Sequence, residues 1–291
     1  MTLSLIPWPD LLDHYKKIFL TKIIMNLKKD RQLNVNRTAL ILGGSEGIGF
    51  GCAQALAIRG CNIILFSRNK DKLLSAKENL EKYRVNVEIY TGDIGSKDSL
   101  NNLFSSMENN GKMCDILINN NSGPMPGAML DLAEEDWANI FESHVMPFFR
   151  SIKLATPSMI DRKWGRIITI GSVAAKEPIE NLDLSNFIRA GFASINKTLS
   201  KRLAVDNICT HFICPGSILT NRSKKIIEAR ASKMNISFDE SIAISEANIP
   251  MGRLGEADDV GELVAFLCSE QANYMTGNVI QVDGGLTKGI I

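Results

Sequence analysis

The chain has 291 residues, 45% of them hydrophobic and 22% charged, and a formal charge of +1 at neutral pH. This length buries a full core, and so balanced a charge carries no electrostatic signature of a nucleic-acid partner. No run approaches the ~20 apolar residues of a membrane span, and six scattered cysteines without a CxxC pair read as buried thiols in a reducing, cytoplasmic setting rather than as metal ligands.

Up to Thr38 the chain carries seven Lys or Arg (Lys16, Lys17, Lys22, Lys28, Lys29, Arg31, Arg37) against Asp10, Asp13 and Asp30, a local net of +4. The run IFLTKIIM, Ile18 to Met25, is apolar, but Lys22 interrupts it and it is too short for a secretory core with a cleavage site. Two readings stay open for this N-terminal extension, residues 1–36. It is either an amphipathic helix that docks on the domain or a membrane surface, or a short polar leader ahead of a start at Met25.

From Thr38 onward, strand-length apolar runs alternate with longer helical patterns. TALIL (38–42), NIILFS (62–67), VEIYT (87–91), DILIN (115–119), RIITI (166–170), THFIC (210–214) and VIQV (279–282) read as seven strands buried on both faces. This alternation predicts one α/β domain over 37–291, a doubly wound parallel sheet with ligands at the carboxyl ends of its strands. The stretch 217–250 follows the Pro215-Gly216 break, contains two helical patterns and no strand, and is predicted to be a lid.

The segment ILGGSEGIGFG follows the first strand and opens a helix. Gly43, Gly47 and Gly49 allow a tight turn and a close approach to a pyrophosphate, with Ser45 and Ile48 between them; a plain strand-to-helix turn is the blander alternative. The spacing is GxxxGxG, and with the segments that follow it resembles the short-chain dehydrogenase/reductase family over nearly all of residues 36–288. GDI (92–94), INNNSG (118–123) and PGSILT (215–220) resemble family segments. The tail from Ile249 to Gly285 is similar to that of 3-oxoacyl-acyl-carrier-protein reductases. The resemblance implies a Rossmann-type fold, a dimer or tetramer, and a cofactor site with Asp93 and Ile94 at the adenine. It also implies Asn120 in the cleft, and Pro215, Gly216, Ile218 and Thr220 over the nicotinamide.

Arg68 follows Ser67 at the end of the second strand, where an NAD enzyme normally carries an acid. A guanidinium with a neighbouring hydroxyl suits a 2′-phosphate, so NADP(H) is expected, although Glu46 stands in the glycine loop where NADP enzymes of the family often carry a basic residue. The family's catalytic set is Asn, Ser, Tyr and Lys. Ser172 matches the serine. Counting thirteen residues on reaches Ser185 in place of tyrosine, four more reach Arg189 in place of lysine, and His144 occupies the asparagine position. Arg189 can still bond a ribose or phosphate, and His144 can titrate near neutrality; a helix cap at Ser185, a solvated Arg189 and a packing role for His144 are the alternatives. Three functions remain open. The first is an NADP(H)-dependent oxidoreductase on a small-molecule or carrier-linked carbonyl, its proton arriving through His144, Ser185 or water. The others are a non-redox isomerase, dehydratase or cyclase, and a non-catalytic nucleotide-binding subunit.

Overall fold

Runs rich in Ile, Leu and Val form β1 (Thr38–Leu42), β2 (Asn62–Ser67), β3 (Val87–Thr91), β4 (Ile116–Asn119), β5 (Gly165–Ile170), β6 (Ile208–Pro215) and β7 (Asn278–Val282) in the computed structural model, which describes residues 37–289. The N-terminal extension read at residues 1–36 lies outside the described residues. All seven strands are parallel, in the order β3-β2-β1-β4-β5-β6-β7. The direction of winding reverses between β1 and β4, which opens a crevice at their carboxyl ends.

Alternation along each strand sorts side chains between the two faces. Ala39 and Ile41 of β1 pack with α1 (Gly47–Ile58), α2 (Lys70–Glu81) and α9 (Ala257–Leu267). Leu40 and Leu42 pack on the other face with α3 (Lys97–Asn109), α5 (Met146–Asp161) and α6 (Asp183–Leu203). Burial on both faces holds for the five central strands, but β3 and β7 lie at the sheet edges with most of their residues partly exposed. The run of β-branched residues identifies a strand without revealing which strands have a neighbour on only one side.

A short helix α4 (Glu134–Ile140) continues through a π-helical turn, Phe141–Val145, into α5. Pro147 lies at the start of α5, has no N–H to give the Ser143 carbonyl, and would place its ring against that carbonyl in a regular helix. The widened turn avoids the clash, and the freed Ser143 carbonyl accepts from Asn121 Nδ2 at 3.0 Å. Residues 217–250 hold two helices and no named strand, α7 (Asn221–Met234) and α8 (Phe238–Glu246), capped by Thr220 and Ser237. Their Ile227 and Ile249 form a small separate core with Leu254, just beyond the stretch.

Among the described residues no helix is long and apolar enough to cross a membrane, and all six cysteines are buried free thiols. At the amino edge of the sheet Asp115 accepts from the Thr38 amide (2.8 Å) and pairs with Arg37 (3.3 Å) and Arg162 (3.1 Å). Trp164 stacks under Arg37 and Arg166, whose guanidinium carbons lie 3.9 and 4.4 Å from its ring centroid.

His211 on β6 is fully buried, and neither ring nitrogen makes a well-formed hydrogen bond. Burial pushes its pKa down to about 4, with the Met275 backbone opposing the shift and the Arg166 charge adding to it. The folded state thus holds the neutral ring while the unfolded chain protonates near 6.5. Stability is complete above that pH and falls between about 6.5 and 4, by about 3 kcal/mol for this group. Urea unfolding from pH 7 to 4 is expected to show this slope, and His211→Leu to flatten it.

Candidate active site

Along the carboxyl edge runs a groove of about 690 Å³, from the ends of β2 and β3 past β1 and β4 to β5 and the start of α7. The loop between β1 and α1 forms its floor. Gly43 and Gly47 hold φ of +64° and +58°, and a Cβ on Gly49 would lie 2.2 Å from the Gly43 carbonyl oxygen. Asn120 Nδ2 braces the same loop by donating to the Leu42 and Gly43 carbonyls, each at 3.3 Å. No side chain caps the first turn of α1, so its free N–H groups and helix dipole offer an anion site.

Glu46 is held from two sides. Its carboxylate accepts from Lys72 Nζ (2.7 Å) and Asn221 Nδ2 (2.8 Å), which hold its pKa below the ordinary carboxylate value against a smaller effect of burial. The negative charge in the loop is therefore matched from α2, and the loop is joined to the first residue of α7. Beside it Ser67 Oγ donates to Ser45 Oγ (3.0 Å), and the exposed Arg68 has no ion-pair partner among the described residues. Asp93 and Ile94 line the end of the groove by β3, where Asp93 Oδ1 accepts from the Gly95 amide at 2.9 Å.

Part of the expected cofactor set lies behind this surface. Pro215 is buried at the end of β6, Gly216 backs onto Asp283, and Ile218 packs into the core beside Gly255; of that stretch only Thr220 reaches the groove. Gly49 likewise supports Gly43 from behind. Lys72, Asn121 and Arg222, none of them in the expected set, do line it.

The four expected catalytic positions converge at the far end. Ser172 follows β5, and its Oγ accepts from the Ala174 amide (3.2 Å), which leaves the hydroxyl hydrogen free to donate into the groove. Ser185 is the third residue of α6, with Leu182 at the N-cap, so it is no cap. Arg189, one turn on, is not solvated: it is 6% exposed, donates from Nη1 to the Ile170 carbonyl (3.2 Å), and leaves Nε without a partner. Burial, with the nearby Arg222 charge, brings its pKa down to about 10, still protonated at neutral pH.

His144 belongs to the π turn. The Ser143 hydroxyl donates to the Asn139 carbonyl (2.7 Å), so its oxygen accepts from Nδ1–H of His144 (2.8 Å) and Nε2 keeps a lone pair. Nε2 is buried without a partner. Burial and the Arg189 charge hold the imidazole below the ordinary histidine value, although the Ser122 and Gly123 backbone opposes them, so the ring is neutral at pH 7. A cavity of about 10 Å³, the scale of one water, lies among His144, Arg189, Asn119, Asn121 and Thr169. None of the tyrosines among the described residues lines the groove: Tyr83 packs on the core, Tyr90 donates to Glu88, and Tyr274 faces solvent.

A family described as Enoyl-(Acyl carrier protein) reductase matches residues 43–287. The chain is 34% identical over 256 residues to the NADPH-dependent reductase BacG of Bacillus subtilis, covering 87% of this chain and 99% of that one. It is 30% identical over 260 residues to the 3-oxoacyl-[acyl-carrier-protein] reductase FabG of Haemophilus influenzae, covering 86% and 98%. Among solved structures, L-sorbose reductase from Gluconobacter frateurii, complexed with NADPH and L-sorbose, superimposes with a TM-score of 0.85 at 28% identity, over 90% of this chain and all of that one.

The tight contact at Gly49 and the open space around Gly191 make a matched pair of substitutions. Gly49→Ala drives a methyl into backbone and is expected to cost about 1–3 kcal/mol. Gly191→Ala on α6 meets nothing within 4 Å and is expected to stabilise by about 0.5–1 kcal/mol. Urea midpoints of the two variants should move in opposite directions.

Proposed function

The chain belongs to the short-chain dehydrogenase/reductase family, and we propose that it works as an NADP(H)-dependent oxidoreductase on a carbonyl or secondary alcohol, with the groove as its active site. One observation carries the reading. The groove is lined at one end by Arg68, unpaired among the described residues, with Ser45, Ser67 and the Lys72–Glu46 pair, and at the other by Ser172, Ser185, His144 and Arg189, on either side of an uncapped helix start.

The residues present fit the cofactor. Arg68 and Lys72, with the serine hydroxyls, would hold the 2′-phosphate, the first turn of α1 the pyrophosphate, Asp93 and Ile94 the adenine, and Asn120, Thr220 and Arg189 the nicotinamide riboside. When bound, NADPH supplies the hydride. Ser172 donates to the substrate oxygen, Ser185 adds a second hydroxyl, and the fixed charge of Arg189 stabilises negative charge that develops there. Proton delivery falls to His144 or to water beside it, because a serine hydroxyl is far weaker as an acid than a phenol. Residues 217–250 act as the lid, joined to the glycine loop through Asn221 and Glu46. The substrate is a small-molecule or carrier-linked carbonyl. A homodimer or homotetramer belongs to the same proposal, supported by Phe141, Phe149 and Phe187, which are exposed on helices of one face of the sheet.

Titration followed by nicotinamide fluorescence is expected to show NADPH binding more tightly than NADH, and Arg68→Ala to lose about ten-fold or more of NADPH affinity with little change for NADH. Tighter NADH binding would overturn the role of Arg68. Because the His144 ring is neutral at pH 7, carbonyl reduction should quicken as pH falls and the imidazolium fills. His144→Ala should lower the rate by ~10²-fold or more and abolish that pH dependence. Unchanged turnover and profile in the variant would remove histidine from the proton path.

A further inference from the structure

Arg189 is a charge without a counterion. Among the described residues no carboxylate faces it, its Nε has no partner, and its hydrogen bond goes to a backbone carbonyl. Leaving a guanidinium buried without an anion costs several kcal/mol, a cost that a bound anion relieves. A second guanidinium stands nearby. Arg222, in the first turn of α7, reaches across the groove to donate to the Pro124 carbonyl (3.4 Å), and its Nη1 lies 2.8 Å from where a Cβ on Gly123 would be. The absence of a side chain at Gly123 is what lets it lie there.

The acids that line the groove do not answer these charges. Glu46 is taken up by Lys72 and Asn221, and Asp93 stands at the β3 end, with β2, β1 and β4 between it and β5. Cofactor phosphates have their own places at the start of α1 and beside Arg68. The end of the groove that holds Ser172 and Ser185 therefore has two guanidiniums and no acid.

Resting on the oxidoreductase reading above, we propose that the carbonyl substrate is an oxo acid, its carboxylate held at this end of the groove by Arg222 and by the buried charge of Arg189. A single carboxylate balances the one guanidinium that is buried, and its two oxygens suit guanidinium donors. Ser185, one turn before Arg189, is too small to screen it from the groove. The electrostatics agree: after the larger effect of burial, the Arg222 charge lowers the pKa of Arg189, and both arginine charges lower that of His144. In the reaction the carbonyl carbon accepts the hydride, its oxygen accepts a proton, and the carboxylate is unchanged. A thioester is neutral where the free oxo acid carries its carboxylate, so the proposal selects free acids over carrier-bound substrates.

The full chain loaded with NADPH is titrated with 2-, 3- and 4-oxo acids bearing alkyl or aryl tails, each paired with its amide. Binding is read from quenching of NADPH fluorescence by the corresponding non-oxo acids and amides, and KM from NADPH oxidation. The preferred acid is expected to bind about ten-fold or more tightly than its amide. Arg222→Gln should abolish the preference, Arg222→Lys should restore part of it, and NADPH affinity should stay constant in both. Equal binding of acid and amide, no response to either while NADPH is bound, or an Arg222→Gln effect confined to NADPH affinity would each overturn the proposal. None of these results touches the oxidoreductase reading, which fails instead if NADPH itself does not bind.

Discussion

A parallel sheet covered on both faces leaves polar chemistry few places to go. Its ladder satisfies the backbone, its side chains alternate into two apolar layers, and helices close both sides. What remains is the edge where the chain leaves each strand. Here that edge gathers the glycine loop after β1, Asn120 after β4, Ser172 after β5 and Arg222 beyond β6, residues spread over most of the chain. Their meeting follows from strand order, because the reversal between β1 and β4 sends successive connections to opposite faces and opens the crevice between them.

Features with a short-range cause were legible in the amino-acid sequence. Buried strands are continuous apolar runs, and all seven appear where such runs lie, with ends displaced by no more than two residues. The glycine loop, Arg68 at the end of β2 and the serine and arginine at positions 185 and 189 could likewise be read by counting. Features set by distant partners could not. Nothing near Glu46 announces that Lys72 and Asn221, the latter 175 residues away, share its carboxylate. Nothing near Arg222 announces the gap at Gly123. Pro215 and Ile218 make the same point: their motif marks the right loop, but folding buries both side chains, and of the positions singled out there only Thr220 lines the groove. Helix capping misled in the same way, since Ser185 has the chemistry of a cap but Leu182 has the position.

The exchange of a lysine by Arg189 has a physical meaning beyond a lost motif. A buried ammonium can lose its proton; a guanidinium cannot do so at neutral pH even when burial lowers its pKa to about 10. The positive charge one turn from Ser185 is therefore permanent, and after burial it is the larger of the effects that hold His144 below the ordinary histidine value. In place of a phenol whose acidity is tuned by an amine, the site has hydroxyls, a neutral imidazole and a fixed cation. Such a set stabilises negative charge better than it donates protons.

The π turn that Pro147 imposes amounts to one surplus residue in an otherwise continuous helix, the helical counterpart of a bulge in a strand. Each residue rotates a helix by about 100°, so everything beyond the surplus faces a direction that a regular helix of the same composition would not give it. His144 sits inside that offset, and Asn121 fastens it by capturing the carbonyl the proline leaves free. Chain length, quite apart from residue identity, is thus a heritable coordinate of this pocket. Removing Glu142 alone would keep every side chain assigned to the pocket, yet turn the imidazole toward a different neighbour.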